Sequence, residues 1–147
     1  SVYDDFPWID YLKKKLHEMK NTGKPVLGIC FGHQLIAETF GGEVVLNKKG
    51  WELGSCVVSL LESAKDSPLL SGLPMNLNVY QSHQDVVVKI PVGATLLAEN
   101  EMGIQSFVYN NTFYGVQFHP EASPGPHDSA YVFHRFIEMM ESHSVAQ

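Results

Sequence analysis

Gly28-Ile29-Cys30-Phe31-Gly32 sets a cysteine between two glycines in the pattern glycine, any residue, nucleophile, any residue, glycine. In that pattern a strand turns abruptly into a helix and holds the nucleophile exposed in a strained backbone conformation. Close approach of strand and helix is expected to leave room only for glycine at Gly28 and Gly32. The start of the helix favours a thiolate, and the Phe31 amide is placed to point at an oxyanion. A cysteine that merely fills a core strand would have neither the paired glycines nor a helix start after it. Cys56, in Gly54-Ser55-Cys56-Val57-Val58, sits mid-strand without that context.

A thiol nucleophile needs a base, and the base needs an orienting partner. Seven histidines compete. His17 and His143 fall on outer helices, His127 in a loop and His134 in the last helix, positions that suit surface or packing roles. His33 enters the helix just after Cys30, where its side chain is expected to turn away from the sulfur. His119 instead ends the apolar run Tyr114-Gly115-Val116-Gln117-Phe118 and is followed by Pro120 and Glu121. Catalytic groups in α/β sheets emerge at such strand ends, and proline fixes the backbone so that Glu121 can turn back and hold the imidazole in one tautomer. His-Pro-Glu alone is common in loops. Beside an elbow cysteine at the end of another strand, it points to a Cys-His-Glu unit.

The elements that must position these groups follow from pattern. Asp4 or Asp5 and Pro7 open a helix whose apolar face is Trp8, Leu12, Leu16 and Met19, and Gly23 and Pro25 close it. Lys13, Lys14, Lys15 and Lys20 form its solvated face near the negative end of the dipole. Val26 to Cys30 is continuously apolar, as expected of a central strand covered on both sides. His33 to Phe40 is a helix closed by Gly41-Gly42. Strands are expected over 43–46, 54–61, 77–83, 86–90, 95–98, 104–109 and 113–119, with a hairpin at Asn110-Asn111 and a helical turn over 67–74. A Pro/Gly-rich stretch through His127 precedes a final helix capped by Asp128 or Ser129 and carrying Tyr131, Phe133, Phe136, Ile137 and Met140.

The 147 residues are 44% hydrophobic and 18% charged, the range of one soluble α/β domain with one core. Ten Lys plus Arg against sixteen Asp plus Glu give a formal charge of −6 and no basic run beyond Lys13-Lys14-Lys15, which argues against nucleic acid as a partner. Two cysteines in apolar contexts suit a reducing, cytoplasmic setting. The apolar runs are strand-length, so neither a membrane span nor a signal peptide is expected. No P-loop or other nucleotide signature is present.

Three stretches in order, Gly28-Ile-Cys-Phe-Gly-His-Gln34, Gln81-Ser-His-Gln-Asp85 and Tyr114-Gly-Val-Gln-Phe-His-Pro-Glu121, resemble the class I (triad) glutamine amidotransferases. Gly50-Trp51-Glu52-Leu53-Gly54 looks most like stand-alone proteins similar to the glutaminase domain of GMP synthase, and the segment from Ala122 to Asp128 is similar to the small subunit of carbamoyl-phosphate synthetase. The resemblance implies a flavodoxin-like α/β fold, a mixed sheet flanked by helices. It implies that Cys30 attacks the side-chain amide of L-glutamine, that His119 shuttles the proton and that Glu121 orients His119. A γ-glutamyl thioester forms, and the ammonia goes to a synthase domain or subunit. By the same carry-over Phe31 serves the oxyanion, Gln34 helps fix glutamine, and Ser82, Gln84 and Asp85 hold its α-amino and α-carboxylate groups, with Gln84 standing where many members have glycine. No cofactor or metal is implied.

Family members place several strands and a Gly-rich loop, the source of a second oxyanion donor, before the first helix found here. Residues 1–147 are accordingly expected to be a partial domain lacking its N-terminal strands, with a free strand edge that invites self-association. Two alternatives stand beside the glutaminase: a cysteine hydrolase of γ-glutamyl amides or peptides, and a weakly active domain that binds a partner.

Overall fold

Proline at the first helical position presets φ and gives up an N–H that would have no partner there. Helix α1 accordingly starts at Pro7 and runs to Met19. The structure, a computed structural model, describes residues 1–122 and 130–146. The expected caps at Asp4 and Asp5 are not used: Phe6 takes the cap position without a side-chain bond, and Asp4 accepts a hydrogen bond from the Ser1 nitrogen. The buried face is also rotated by one position from the one the spacing suggests. Ile9 is buried with Leu16 and Met19 beside it, whereas Trp8 and Leu12 are exposed. The reason is the neighbour: α1 lies on the helix that follows β1, and Trp8 stays at the margin of that contact, its ring 5.5 Å from Phe31 and 6.3 Å from Phe6.

Strand β1 (Val26–Ile29) leads directly into α2 (Phe31–Thr39). Seven further strands follow, β2 (Glu43–Leu46), β3 (Glu52–Leu60), β4 (Asn76–His83), β5 (Asp85–Lys89), β6 (Thr95–Asn100), β7 (Gly103–Tyr109) and β8 (Phe113–Val116), and the described chain closes with α3 (Ala130–Ala146). The sheet runs β1-β8-β7-β6-β3-β4, and β2 and β5 form a branch through β7. Among the described residues only β1 and β8 are parallel, with Gly28 opposite Gly115; the remaining pairs are antiparallel.

Among the described residues β1 pairs only with β8, so it is an edge strand and not the central one its apolar run suggests. Its composition has another cause, since both of its faces are covered. Leu27 and Ile29 pack with Val132 and Phe136 of α3 on one side, and Val26 packs with Ile9, Ile36 and Phe113 on the other. Alternate residues of β8 divide between the same two clusters.

Several boundaries differ from the pattern-based expectation, with α2 starting at Phe31 and β6 running on to Asn100 among them. The helical turn falls at Glu62–Asp66, ahead of 67–74, which form turns. Strand β8 ends at Val116, three residues before His119. Strand β3 begins at Glu52, two residues early. The Asn110-Asn111 hairpin is present, with both residues at φ 57°. Asp128, Ser129 and His127 lie outside the described residues. Among those described, no helix is long and apolar enough to cross a membrane.

Candidate active site

Cys30 alone joins β1 to α2, and its φ of 52° with ψ −101° puts a side-chain-bearing residue in a sparsely populated backbone region. Its N–H donates to the Val116 carbonyl at 2.9 Å, extending the parallel ladder one residue beyond β1. A Cβ on Gly28 would lie 2.4 Å from the Gly32 carbonyl oxygen, so strand and helix do approach as closely as the pattern suggests. The requirement is one-sided, however. A Cβ on Gly32 would meet nothing within 4 Å, because Gly32 offers its backbone to Gly28 and turns its own Cα outward.

His33 points away from the sulfur into the core, with its ring 5.0 Å from Phe107. A Cβ at Gly115 would lie 2.6 Å from its Nδ1, so the facing glycines of β1 and β8 form the hollow that seats the first turn of α2. Both ring nitrogens are fully buried without a well-formed hydrogen bond, and burial drives the His33 pKa down to about 3, opposed in part by the nearby backbone of Gly115 and Ile104. His33 is a neutral packing residue.

The Cys30 thiol is pushed up from its ordinary value. Burial is the main cause, and the Glu121 and Asp85 charges add to it; the Phe31 N–H and the Gln117 side-chain amide, 3.5 Å from Sγ, act the other way. The dipole-favoured thiolate expected at a helix start is thus outweighed in the resting site by desolvation. A thiol held protonated by burial depends on a base.

His119 leaves β8 and is tied to another strand, its N–H donating to the Tyr80 carbonyl of β4 at 3.0 Å. The Cys30 sulfur sits 3.9 Å from the Ser82 carbonyl on the same strand. Carbonyls two residues apart on a strand point the same way, about 7 Å from each other, so β4 holds both groups along one side. His119 Nδ1 meets Glu121 Oε1 at 2.8 Å, and the short 3₁₀ turn Pro120–Ala122 bends the carboxylate back as proline suggested. With Nδ1–H on Glu121, Nε2 carries the free lone pair.

Cys30, Phe31, Gln34, Ser82, Gln84 and Asp85 share one open cleft of about 330 Å³, with Leu46 and Trp51 at its side. His119 and Glu121 are not part of its wall. Within it the Asp85 carboxylate accepts from Tyr3 Oη at 2.8 Å, and the Gln84 carbonyl accepts from the Asn47 N–H at 3.0 Å. Larger hollows lie against α3 (480 Å³) and over β3 (610 Å³). The second contains Cys56, whose sulfur meets the Leu53 carbonyl at 3.8 Å and whose thiol is raised by burial. Among the described residues no group of three or more His, Cys, Asp or Glu is placed to hold a metal.

Behind the cleft lies a polar layer that pattern reading misses. Glu52 and His83, both buried, pair at 2.8 Å. Asn100 and Gln105 also donate to the Glu52 carboxylate, and Gln81 donates to Gln105 at 2.7 Å. These bonds outweigh burial and hold the Glu52 carboxyl below its ordinary range. The available signal is three fully buried glutamines, Gln81 in β4, Gln105 in β7 and Gln117 just past the end of β8, in positions where apolar residues are the norm.

A model of the family described as Glutamine amidotransferase class-I matches residues 7–139. A Thermococcus kodakarensis protein named as a subunit of glutamine-hydrolyzing GMP synthase is 38% identical over 78% of this chain and 60% of its own length. Gamma-glutamyl peptidase 3 of Arabidopsis thaliana is 35% identical over 82% of this chain and 50% of its own length. The chain therefore spans 50 to 60% of the length of these two relatives. Among solved structures, a glutamine amidotransferase from Thermotoga maritima superposes with a TM-score of 0.75 at 29% identity, covering 97% of this chain and 59% of that one. A Thermoplasma acidophilum protein described as a GMP synthase subunit gives 0.73 at 30% identity, covering 91% and 69%.

Proposed function

The chain belongs to the class-I glutamine amidotransferase family, and from that premise we propose that residues 1–147 form a glutaminase module using Cys30, His119 and Glu121. The observation that carries this reading is Cys30 itself: a strained junction residue whose sulfur opens on a cleft with Gln34, Ser82 and Asp85. Glutamine enters with its side-chain amide at the sulfur. His119 Nε2 takes the thiol proton as Sγ attacks the amide carbon, and the Phe31 N–H receives the developing oxyanion. Collapse expels ammonia, which leaves with the proton returned by His119. Water, deprotonated by the same imidazole, then cleaves the γ-glutamyl thioester to glutamate and free thiol. Glu121 stabilises the imidazolium in both halves.

Gln34, Ser82, Gln84 and Asp85 are the proposed contacts for the amino-acid end of glutamine, and the ammonia acceptor is a synthase domain or subunit. Support for such a partner is that relatives are named as one subunit of GMP synthase. A second reading, hydrolysis of γ-glutamyl peptides, is favoured by the relatives named gamma-glutamyl peptidase. Both readings use the same thioester and differ in the leaving amine. Ammonia release from L-glutamine, run beside amine release from γ-glutamyl dipeptides, decides between them. Turnover of the dipeptides alone overturns the glutaminase reading, and turnover of neither overturns both.

A further inference from the structure

We infer that Gln117 is a further catalytic residue of this site, a buried hydrogen-bond donor to the Cys30 sulfur whose amide is aimed by the Asp85 carbonyl through Gln34. The inference rests on Cys30 being the nucleophile.

The orientation of both amides follows from one atom that can only accept. Gln34 presents a side-chain terminus 3.1 Å from the Asp85 carbonyl oxygen, and this terminus must be its NH₂. The same NH₂ lies 3.1 Å from a terminal atom of Gln117, which must therefore be Oε1. The remaining Gln117 terminus is then NH₂, and it stands 3.5 Å from Cys30 Sγ. Reversing Gln117 would set NH₂ against NH₂ and an oxygen against the sulfur lone pairs. Gln117 is 0% and Gln34 4% exposed, so water is not at hand to compensate either fault.

The starting atom is itself fixed. The Asp85 carbonyl accepts a second bond, from His83 Nδ1 at 2.8 Å, and the other ring nitrogen of His83 is held by Glu52 at 2.8 Å. The Gln117 N–H donates to the Gln105 carbonyl at 2.8 Å, so its backbone is anchored as well. The charged groups acting on the sulfur, Glu121 beyond β8 and Asp85 at the head of β5, both oppose ionisation. Against them stand two donors, the Phe31 amide and the Gln117 amide. The Phe31 amide is also needed by the oxyanion, which leaves Gln117 as the donor dedicated to the sulfur through attack and release.

The test titrates Cys30 by iodoacetamide reactivity against pH without glutamine, in Cys56→Ser protein. Gln117→Met keeps approximate volume and removes the donor. The alkylation midpoint is expected to rise, and kcat/KM for the substrate turned over to fall roughly 10- to 100-fold, the range for losing a hydrogen bond to a charged group. A folded Gln117→Met protein with the wild-type midpoint overturns the inference. The unsubstituted protein gives an independent measurement: the Gln117 side-chain NH₂ resonances should shift with pH at the Cys30 alkylation midpoint, and resonances that ignore Cys30 ionisation also overturn it. Neither titration uses glutamine. A protein with shifted midpoints and no glutaminase would therefore defeat the proposed function while leaving the donor role of Gln117 intact.

Discussion

Cys30 and Cys56 are both free and half-buried, and burial raises both thiols. What separates them is the company of the sulfur: two N–H donors at Cys30 and, tied to the same strand β4, a His-Glu pair, against one backbone carbonyl at Cys56. A glutamine-analogue electrophile should therefore label Cys30 in preference to Cys56, as peptide mapping would read directly; equal labelling removes the nucleophile assignment. On the proposed mechanism, Cys30→Ala and His119→Ala should each abolish nearly all turnover. Glu121→Gln should retain more, since Glu121 is half exposed, with 52% of its side chain open to water that can take its place. The Cys30→Ala/His119→Ala double variant should be little worse than either single one, because residues acting in one step do not lose activity multiplicatively. Multiplied losses in steady-state rates would show that the two act independently.

At the scale of the elements, the junction of β1 with α2 depends on its two glycines unequally. Gly28 faces the backbone of Gly32 and the Ile36 side chain, 2.6 Å from where its Cβ would be, and the backbone cannot yield as a side chain would. Gly28→Ala should cost roughly 1–3 kcal/mol, the range for overpacking a tight interior. Gly32→Ala meets open space at a helical position and should be neutral or stabilising by up to about 1 kcal/mol. Thermal melts of the two variants make the comparison, and equal losses would show that the motif needs both glycines for packing. The sequence pattern treats the two positions alike. Only the crossing of strand and helix distinguishes the residue that receives a backbone from the one that supplies it.

For the molecule as a whole, acid should be destabilising, and His33 sets where this begins. Its pKa is about 3 in the folded chain against an ordinary 6.5, so between these values the unfolded state binds a proton that the folded state refuses. Stability is then fully present above about pH 6.5 and falls as pH drops, by roughly 1.4 kcal/mol per pH unit for one proton. Glu52, whose carboxyl is held below its ordinary 4.5, is stabilising above that value and adds to the loss only below it. Urea unfolding between pH 7.5 and 5 should show the decline, and His33→Leu should flatten it across that window. An unchanged slope in His33→Leu would mean that another group governs the acid transition.

What the linear sequence determined is local: an apolar strand running into a helix through Cys30, a hairpin at Asn110-Asn111, and a proline that bends Glu121 back to His119. Each of these follows from backbone preferences within a few residues. It also carried the three motif stretches that place the chain in its family. The tertiary structure decided what depends on partners distant in sequence. It placed β1 at the edge of the described sheet yet covered on both faces, rotated α1 onto Ile9, and used β4 carbonyls at Tyr80 and Ser82 to bring His119 and Cys30 to one side. It also joined Glu52, His83, Gln34 and Gln117 into the layer behind the sulfur. Buried polar side chains must find partners, and with no water at hand those partners come from other strands. Such pairing has no period along the chain, which is why the most consequential glutamine of the site reads in the sequence only as a polar residue in an apolar run.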